Sequence, residues 1–190
     1  MSHSIYEGLT FEKVNFSEDY LAVGEYENCR FDKCNFSGID LSKFNFLDCI
    51  FQDCNLSLVK LAKTIIRDVN FVHCKMVGLH FETCNPILFS ASFDQCNLEL
   101  SSFHKLALKK TKFSMCHLLE VDFADCDLTM AVFDRCDLLL AKFENTVLEK
   151  TDFRSAFNFS IDPEQNRLKK ARFSNDGLSG LLGKYDLDIS

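Results

Sequence analysis

The sequence predicts an all-β solenoid, a square-section coil of short extended segments stacked in parallel, and three observations predict it. Phenylalanine recurs every twenty residues at Phe11, Phe31, Phe51, Phe71, Phe93, Phe113, Phe133, Phe153 and Phe173, with one slip of two residues between the fourth and the fifth. Self-similarity at such a fixed period marks stacked copies of one structural unit. A finer grid of five lies inside it, reading Phe11, Phe16, Leu21, Tyr26 and Phe31 onward to Pro86, then resuming at Phe93 and running to Phe153; fifteen of the twenty phenylalanines fall on it. Four five-residue sides make one circuit. Finally, all ten cysteines (Cys29, Cys34, Cys49, Cys54, Cys74, Cys84, Cys96, Cys116, Cys126 and Cys136) stand two positions before a grid residue. Residues two apart share one face of an extended segment. The grid residue and its small predecessor therefore point inward, and the three remaining positions, rich in Asp, Glu, Lys, Arg, Asn and Ser, face water.

Four columns follow. Side one is the phenylalanine ladder. Side two reads Phe16, Phe36, Leu56, Met76, Leu98, Leu118 and Leu138, and side three Leu21, Leu41, Leu61, Phe81, Phe103, Phe123 and Phe143. Side four reads Tyr26, Phe46, Ile66, Pro86, Leu108, Leu128, Leu148 and Leu168. Coils stacked at a strand spacing of ~4.8 Å give a rod roughly 40 Å long. Burying each phenylalanine contributes roughly 1.5–3 kcal/mol, opposed by backbone ordering. With seven glycines and two prolines, the corners must be made by ordinary residues.

The ends and the slip read differently from the body. Met1 to Thr10 is polar and is expected to be an irregular lead-in to the repeat over 11–173. The two extra residues fall near 86–92, in Asn85-Pro86-Ile87-Leu88-Phe89-Ser90. Proline cannot donate a ladder hydrogen bond, so a local outward bump is expected there. Ser174 reads as a helix N-cap, with Asp176 in the first turn and Gly183 as the stop. Residues 174–190 then form a capping helix carrying Leu178, Leu181 and Leu182, followed by a terminal strand with Leu187 and Ile189. A solenoid needs such a cover for its last apolar layer.

Composition excludes several function classes. The 190 residues, 47% apolar, make one domain with no stretch long enough to cross a membrane. The absence of an apolar signal core, together with ten cysteines, points to a reducing cytoplasm and to cysteines that serve the core. The net charge is −7, and residues 118–152 hold nine acids: Glu120, Asp122, Asp125, Asp127, Asp134, Asp137, Glu144, Glu149 and Asp152. Arg135, Lys142 and Lys150 offset them, leaving −6 in that stretch. All nine occupy outward slots and are the candidate partner-binding surface, of a sign that repels nucleic acid and steers basic partners. A small basic patch of Lys105, Lys109, Lys110 and Lys112 precedes them. The five histidines are scattered, and there is no phosphate loop, nucleophile elbow or metal-ligand spacing. The carboxylates lie on the surface with nothing to bury them. No enzyme, cofactor, metal or small-molecule substrate is expected, and function falls to the outer surface.

Units such as Ala124-Asp125-Cys126-Asp127-Leu128 and Asp134-Arg135-Cys136-Asp137-Leu138 resemble the pentapeptide-repeat family, from about Leu9 to Phe173. The resemblance implies a right-handed quadrilateral parallel β-helix. The opening run Phe11-x-x-x-Asn15-Phe16-Ser17-x-x-x-Leu21, then Tyr26-x-x-Cys29-x-Phe31-x-x-Cys34-x-Phe36-Ser37, looks like the start of the Qnr group of that family. The tail, Ile161-Asp162-Pro163 with Leu168 and Leu181-Leu182, is similar to that group's C-terminal cap. The resemblance implies a non-enzymatic mimic of DNA that binds type II topoisomerases (DNA gyrase or topoisomerase IV) and modulates quinolone sensitivity. It also implies a tail-to-tail homodimer, with Leu178, Leu181, Leu182, Leu187 and Ile189 as dimer contacts and the nine acids near the dyad. Many members carry two projecting loops, where this chain has only the slip near Pro86. The alternative is a general protein-interaction scaffold for another cytoplasmic partner.

Overall fold

The structure, a computed structural model, describes residues 4–185, 187 and 188. The chain winds into a four-sided parallel solenoid whose strands are numbered in chain order. Side four opens as a four-stranded parallel sheet of β1 (Ser4–Glu7), β3 (Gly24–Glu27), β5 (Asn45–Leu47) and β7 (Ile65–Arg67). Side one is a seven-stranded sheet of β2 (Thr10–Glu12), β4 (Arg30–Asp32), β6 (Ile50–Gln52), β8 (Val69–Val72), β9 (Ala91–Asp94), β10 (Lys112–Ser114) and β11 (Val132–Asp134). Sides two and three are held by single parallel bridges, such as Asn35↔Asn55 and Asp122↔Lys142.

Register follows the phenylalanines, which pair Phe11↔Phe31, Phe31↔Phe51, Phe51↔Phe71, Phe71↔Phe93, Phe93↔Phe113 and Phe113↔Phe133. Their rings form one continuous stack from Phe11 to Phe173, with successive centroids 4.6–5.4 Å apart. Neighbouring sides meet edge to face, as Phe113 and Phe123 do at 5.8 Å and 78°. Both geometries suit the aromatic quadrupole. Phe31, Phe51, Phe71, Phe93, Phe113, Phe133 and Phe153 are buried, while Phe11 and Phe173 are half-buried because one neighbouring coil is missing at each end.

Ordinary residues do make the corners, and they do so with positive φ: Lys33 at 53°, Leu100 at 59°, Glu120 at 55° and Lys150 at 58°. The left-handed conformation is uncommon outside glycine. It is kept because it turns the corner N–H along the coil axis. Lys33 donates to the Gln52 carbonyl at 2.9 Å, Leu100 to Leu119 at 3.0 Å and Lys150 to Lys169 at 3.0 Å.

Three expectations need correction. Met1–Thr10 is not an irregular lead-in over its described part, because Ser4–Glu7 is a strand paired in register with Gly24–Glu27. Tyr6 stacks on Tyr26 at 4.8 Å and so adds one more rung to side four. This contact requires Gly24, whose Cβ would stand 2.5 Å from the Ser4 carbonyl oxygen. Pro86 does not occupy the inward slot of side four: Pro86–Leu88 is an exposed 3₁₀ turn capped by Asn85, whose Oδ1 accepts from the Ile87 N–H at 3.1 Å. Phe89 turns in instead and packs edge-on against Phe81 and Phe103. The two extra residues are thereby absorbed outside the core.

The C-terminal helix is two 3₁₀ turns, Leu178–Leu181 and Gly183–Tyr185, so Gly183 opens the second turn and stops nothing. Ser174 does accept the Gly177 N–H on its Oγ, at 3.2 Å. The turns sit on Phe159, against which a Cβ on Gly180 would clash at 2.4 Å from its carbonyl oxygen. Three glycines at intervals of three residues, Gly177, Gly180 and Gly183, disfavour a longer helix here. Leu187 is exposed and outside any strand, and Ile189 lies outside the described residues.

Candidate protein-interaction surface

The inward slot two before each grid residue does more than fill space. Cys34, Cys54 and Cys74 donate their thiols to the carbonyls of Phe11, Phe31 and Phe51 at 3.4, 3.4 and 3.3 Å. Thr64, Thr146 and Thr151, in the same slot, donate to Leu41, Phe123 and Leu128 at 2.7, 2.9 and 2.8 Å. A buried carbonyl needs a partner, and Cys, Thr or Ser supplies one where Ala or Val leaves the contact apolar. All ten cysteines are free and buried. Burial pushes the thiols of Cys49, Cys84 and Cys126 up to about 12. Such thiols stay protonated near neutral pH and are poor nucleophiles. No group of three His, Cys, Asp or Glu among the described residues is arranged to hold a metal ion.

The interior is filled. The gap in the core between Leu41 and Phe81 measures about 10 Å³. A larger hollow of about 520 Å³ opens beside the C-terminal turns, and among the described residues Asp176 is the one carboxylate on it. Neither offers paired titratable groups. What remains is the outer surface.

All nine predicted acids are exposed or half-exposed there, but they do not form one acidic face. Asp134 and Asp152 lie on side one, Asp127 and Glu149 on side four, and every one of these four is paired. Asp127 meets Lys109 at 3.1 Å, Asp134 meets Arg135 at 3.4 Å, Glu149 meets Arg167 at 3.0 Å, and Asp152 meets Arg154 at 2.7 Å and Arg172 at 3.7 Å. The hydrogen bond from Arg154 holds the Asp152 carboxyl below the usual carboxylate range. Partial burial pushes Asp127 up, yet Thr129 and Lys109 together hold it below that range.

The other five, Glu120 and Asp137 on side two and Asp122, Asp125 and Glu144 on side three, form no ion pair with Lys or Arg among the described residues. Asp125 has only His104, at 3.8 Å. Asp122 and Asp137 accept backbone N–H groups from Ala124 and Leu139, which fix the carboxylates without neutralising them. The stacking thus gathers negative charge onto two adjacent sides and cancels it on the other two.

The predicted dimer contacts are less uniform. Leu178 and Leu187 are exposed, at 46% and 57%, whereas Leu181 and Leu182 are half-buried and Leu181 packs against this chain's own core. Lys184 bridges Asp162 at 2.9 Å and Glu164 at 2.7 Å, tying the second turn to the last coil.

A parallel solenoid with one aromatic rung per twenty-residue coil and short corners defines a class of stacked-repeat proteins. The sequence matches the description "Pentapeptide repeat region" over residues 25–86, and "Pentapeptide repeats (8 copies)" over 101–138 and 116–154. The chain belongs to the pentapeptide-repeat family. No curated protein sequence matches it. Among solved structures it is similar to a trypsin-treated variant of QnrB1, described as a plasmid-mediated fluoroquinolone resistance protein: 21% identity, TM-score 0.50, covering 97% of this chain and 99% of that one. It is also similar to HetL of the cyanobacterium Nostoc, described as involved in heterocyst differentiation regulation: 17% identity, TM-score 0.60, covering 92% of this chain and 88% of that one. Two proteins with such different descriptions share the coil, so the fold leaves function to the surface. No described helix is long and apolar enough to cross a membrane.

Proposed function

We propose that this chain is a non-enzymatic, protein-binding rod of the cytoplasm whose sides two and three engage a basic, DNA-binding surface on a partner. The observation that carries this is the segregation of Glu120, Asp122, Asp125, Asp137 and Glu144, unpaired by Lys or Arg, from the four neutralised acids on sides one and four. Fixed negative charge of one sign on a stiff scaffold attracts cationic surfaces and repels nucleic acid. Within that class the Qnr-like ends select a type II topoisomerase, gyrase or topoisomerase IV, as the partner, and quinolone sensitivity as the affected property. Supercoiling by gyrase, with and without ciprofloxacin, is the test. Inhibition or protection by the wild type, lost in Asp122→Lys/Asp125→Lys and kept in Asp134→Lys/Glu149→Lys, supports the reading; no effect at tens of micromolar sinks the topoisomerase assignment.

A second reading, a monomeric scaffold for a different partner, is favoured by the half-buried state of Leu181 and Leu182, which reduces the apolar area left for a tail-to-tail dimer. Light scattering separates the two: a dimer that Leu178→Asp dissociates supports the rod, and a monomer at micromolar concentration supports the scaffold.

A further inference from the structure

The four corners of the coil are equivalent in the repeat and unequal in chemistry. Three of them are mostly polar or basic, as at Lys33 and Arg135, Lys43 and Lys105, and Lys110 and Lys150, with Met115 and Met130 as the apolar exceptions in the left-handed positions. The corner between sides two and three carries Leu58, Val77, Leu100, Leu119, Leu139 and Leu140 on successive coils. Leu58 is 65% exposed, Leu100 56% and Leu140 63%. All three also hold the left-handed conformation, with φ of 59°, 59° and 57°. A branched aliphatic side chain gains nothing from water there and fits this backbone worse than the Asn and Asp found at other corners, such as Asn28, Asp53 and Asn145. Exposure and a left-handed backbone coincide in a large apolar residue on three coils of this column and elsewhere, among the described residues, only at Met130, 45% exposed with φ of 62°, which marks the column as a surface with a use beyond folding.

The spacing says what fits. Apolar groups recur once per coil, every ~4.8 Å, alternating between the two corner positions. An α-helix advances ~5.4 Å per turn and ~10.5 Å per heptad, close to the two-coil repeat of the three exposed leucines. An extended peptide laid along the rod would repeat its side chains every ~7 Å and fall out of step. Beside Leu100, Leu119 and Leu140 the rims of the ridge carry Glu99, Glu120, Asp122, Asp125, Asp137 and Glu144, against Lys105 and Lys142, whereas beside Leu58 they carry Lys60, Lys63 and Lys75. Two such ridges packed with their acidic coils together would set like charges face to face, which disfavours a second copy of this chain in that arrangement.

We infer that the corner between sides two and three is a docking ridge for an amphipathic α-helix of a partner protein, with leucine-type residues at heptad spacing and Lys or Arg on its flanks. The inference does not rest on the topoisomerase assignment, and a silent gyrase assay leaves it intact.

The test uses the full chain and a synthetic 21-residue peptide with leucines at heptad spacing and flanking lysines, beside a scrambled peptide of the same composition. Fluorescence anisotropy should show the heptad peptide binding at least about tenfold more tightly than the scrambled one. Leu58→Asn/Leu100→Asn/Leu140→Asn should lose that difference while melting at the same or a higher temperature, since asparagine suits a left-handed corner. Leu119→Ser/Leu139→Ser, away from the left-handed positions, should lose it too. Equal binding of both peptides, or undiminished preference in both variants, overturns the inference. So do a melting temperature that falls in both variants, which would make the leucines structural, and a wild-type dimer that the substitutions dissolve.

Discussion

Sides two and three differ from sides one and four in almost everything outside and in almost nothing inside. Inward, each side repeats an aromatic or aliphatic rung over a small buried residue, and all four contribute to one hydrophobic cluster. Outward, sides one and four of the C-terminal coils carry matched ion pairs between adjacent coils, such as Lys109–Asp127 and Arg167–Glu149. Sides two and three carry unpaired carboxylates and an exposed leucine corner. The lesson is that the stacking rule constrains only the interior. Exterior columns are free to differ, and this chain has used one pair of sides to close charge and the other to display it.

The largest effect should come from breaking what the sides share. Phe113→Ala removes a buried ring stacked on Phe93 and Phe133 and should cost about 3–5 kcal/mol by urea unfolding. Phe11→Ala, at a half-buried end, should cost clearly less. Equal costs would mean the ladder does not act as a stack. A smaller effect sharpens the same point from the buried slots. With the thiols of Cys49, Cys84 and Cys126 pushed up to about 12 from an ordinary 9.0, the folded chain keeps protons that the unfolded chain has released. Their contribution is therefore complete below pH 9 and is lost as pH rises from there toward 12. Urea midpoints measured across that range should fall. Cys126→Thr should flatten the fall with little cost at pH 7, because threonine serves the same slot at Thr146 and Thr151. An unchanged alkaline slope in that variant would assign the loss to other groups.

The coil was legible because its signal is redundant: an aromatic every twenty residues and a small residue two before each grid position fix side, face and register together. Tyr6 lies twenty before Tyr26 and belonged to the same column, although the polar run around it hid this. Phe89 could not be placed, because the grid puts Pro86 inward and only the 3₁₀ turn of Pro86–Leu88 shows where the extra residues go. The acidic surface was half legible. Its residues were all named, but a contact between adjacent coils joins residues about twenty apart. A window of 118–152 therefore cut Asp152 from Arg154 and Arg172, Glu149 from Arg167, and Asp127 from Lys109. Writing the columns side by side, not the stretch end to end, is what separates paired acids from displayed ones. The donor role of the cysteines was missed because size alone explained their slot.

The smallest expected effect tests that separation directly. Asp152→Ala removes a carboxylate shared by Arg154 and Arg172 and should destabilise by up to about 1 kcal/mol, discounted for the solvent exposure of both arginines. Glu120→Ala, with no basic partner, should be neutral or slightly stabilising, because it relieves repulsion on an acidic side. The sign with pH is also set. Asp152 is held below its ordinary 3.8 by Arg154, so its contribution is present above that value and fades as pH falls through the lowered one. Asp152→Ala should therefore lose its difference from wild type at low pH and at high salt, where exposed pairs are screened, while Glu120→Ala should change little in either. Urea midpoints of the two variants at neutral pH, with and without about 1 M salt, are sufficient. If both cost the same, the carboxylates of sides two and three are as structurally engaged as those of sides one and four. The display surface on which the partner reading rests would then not exist.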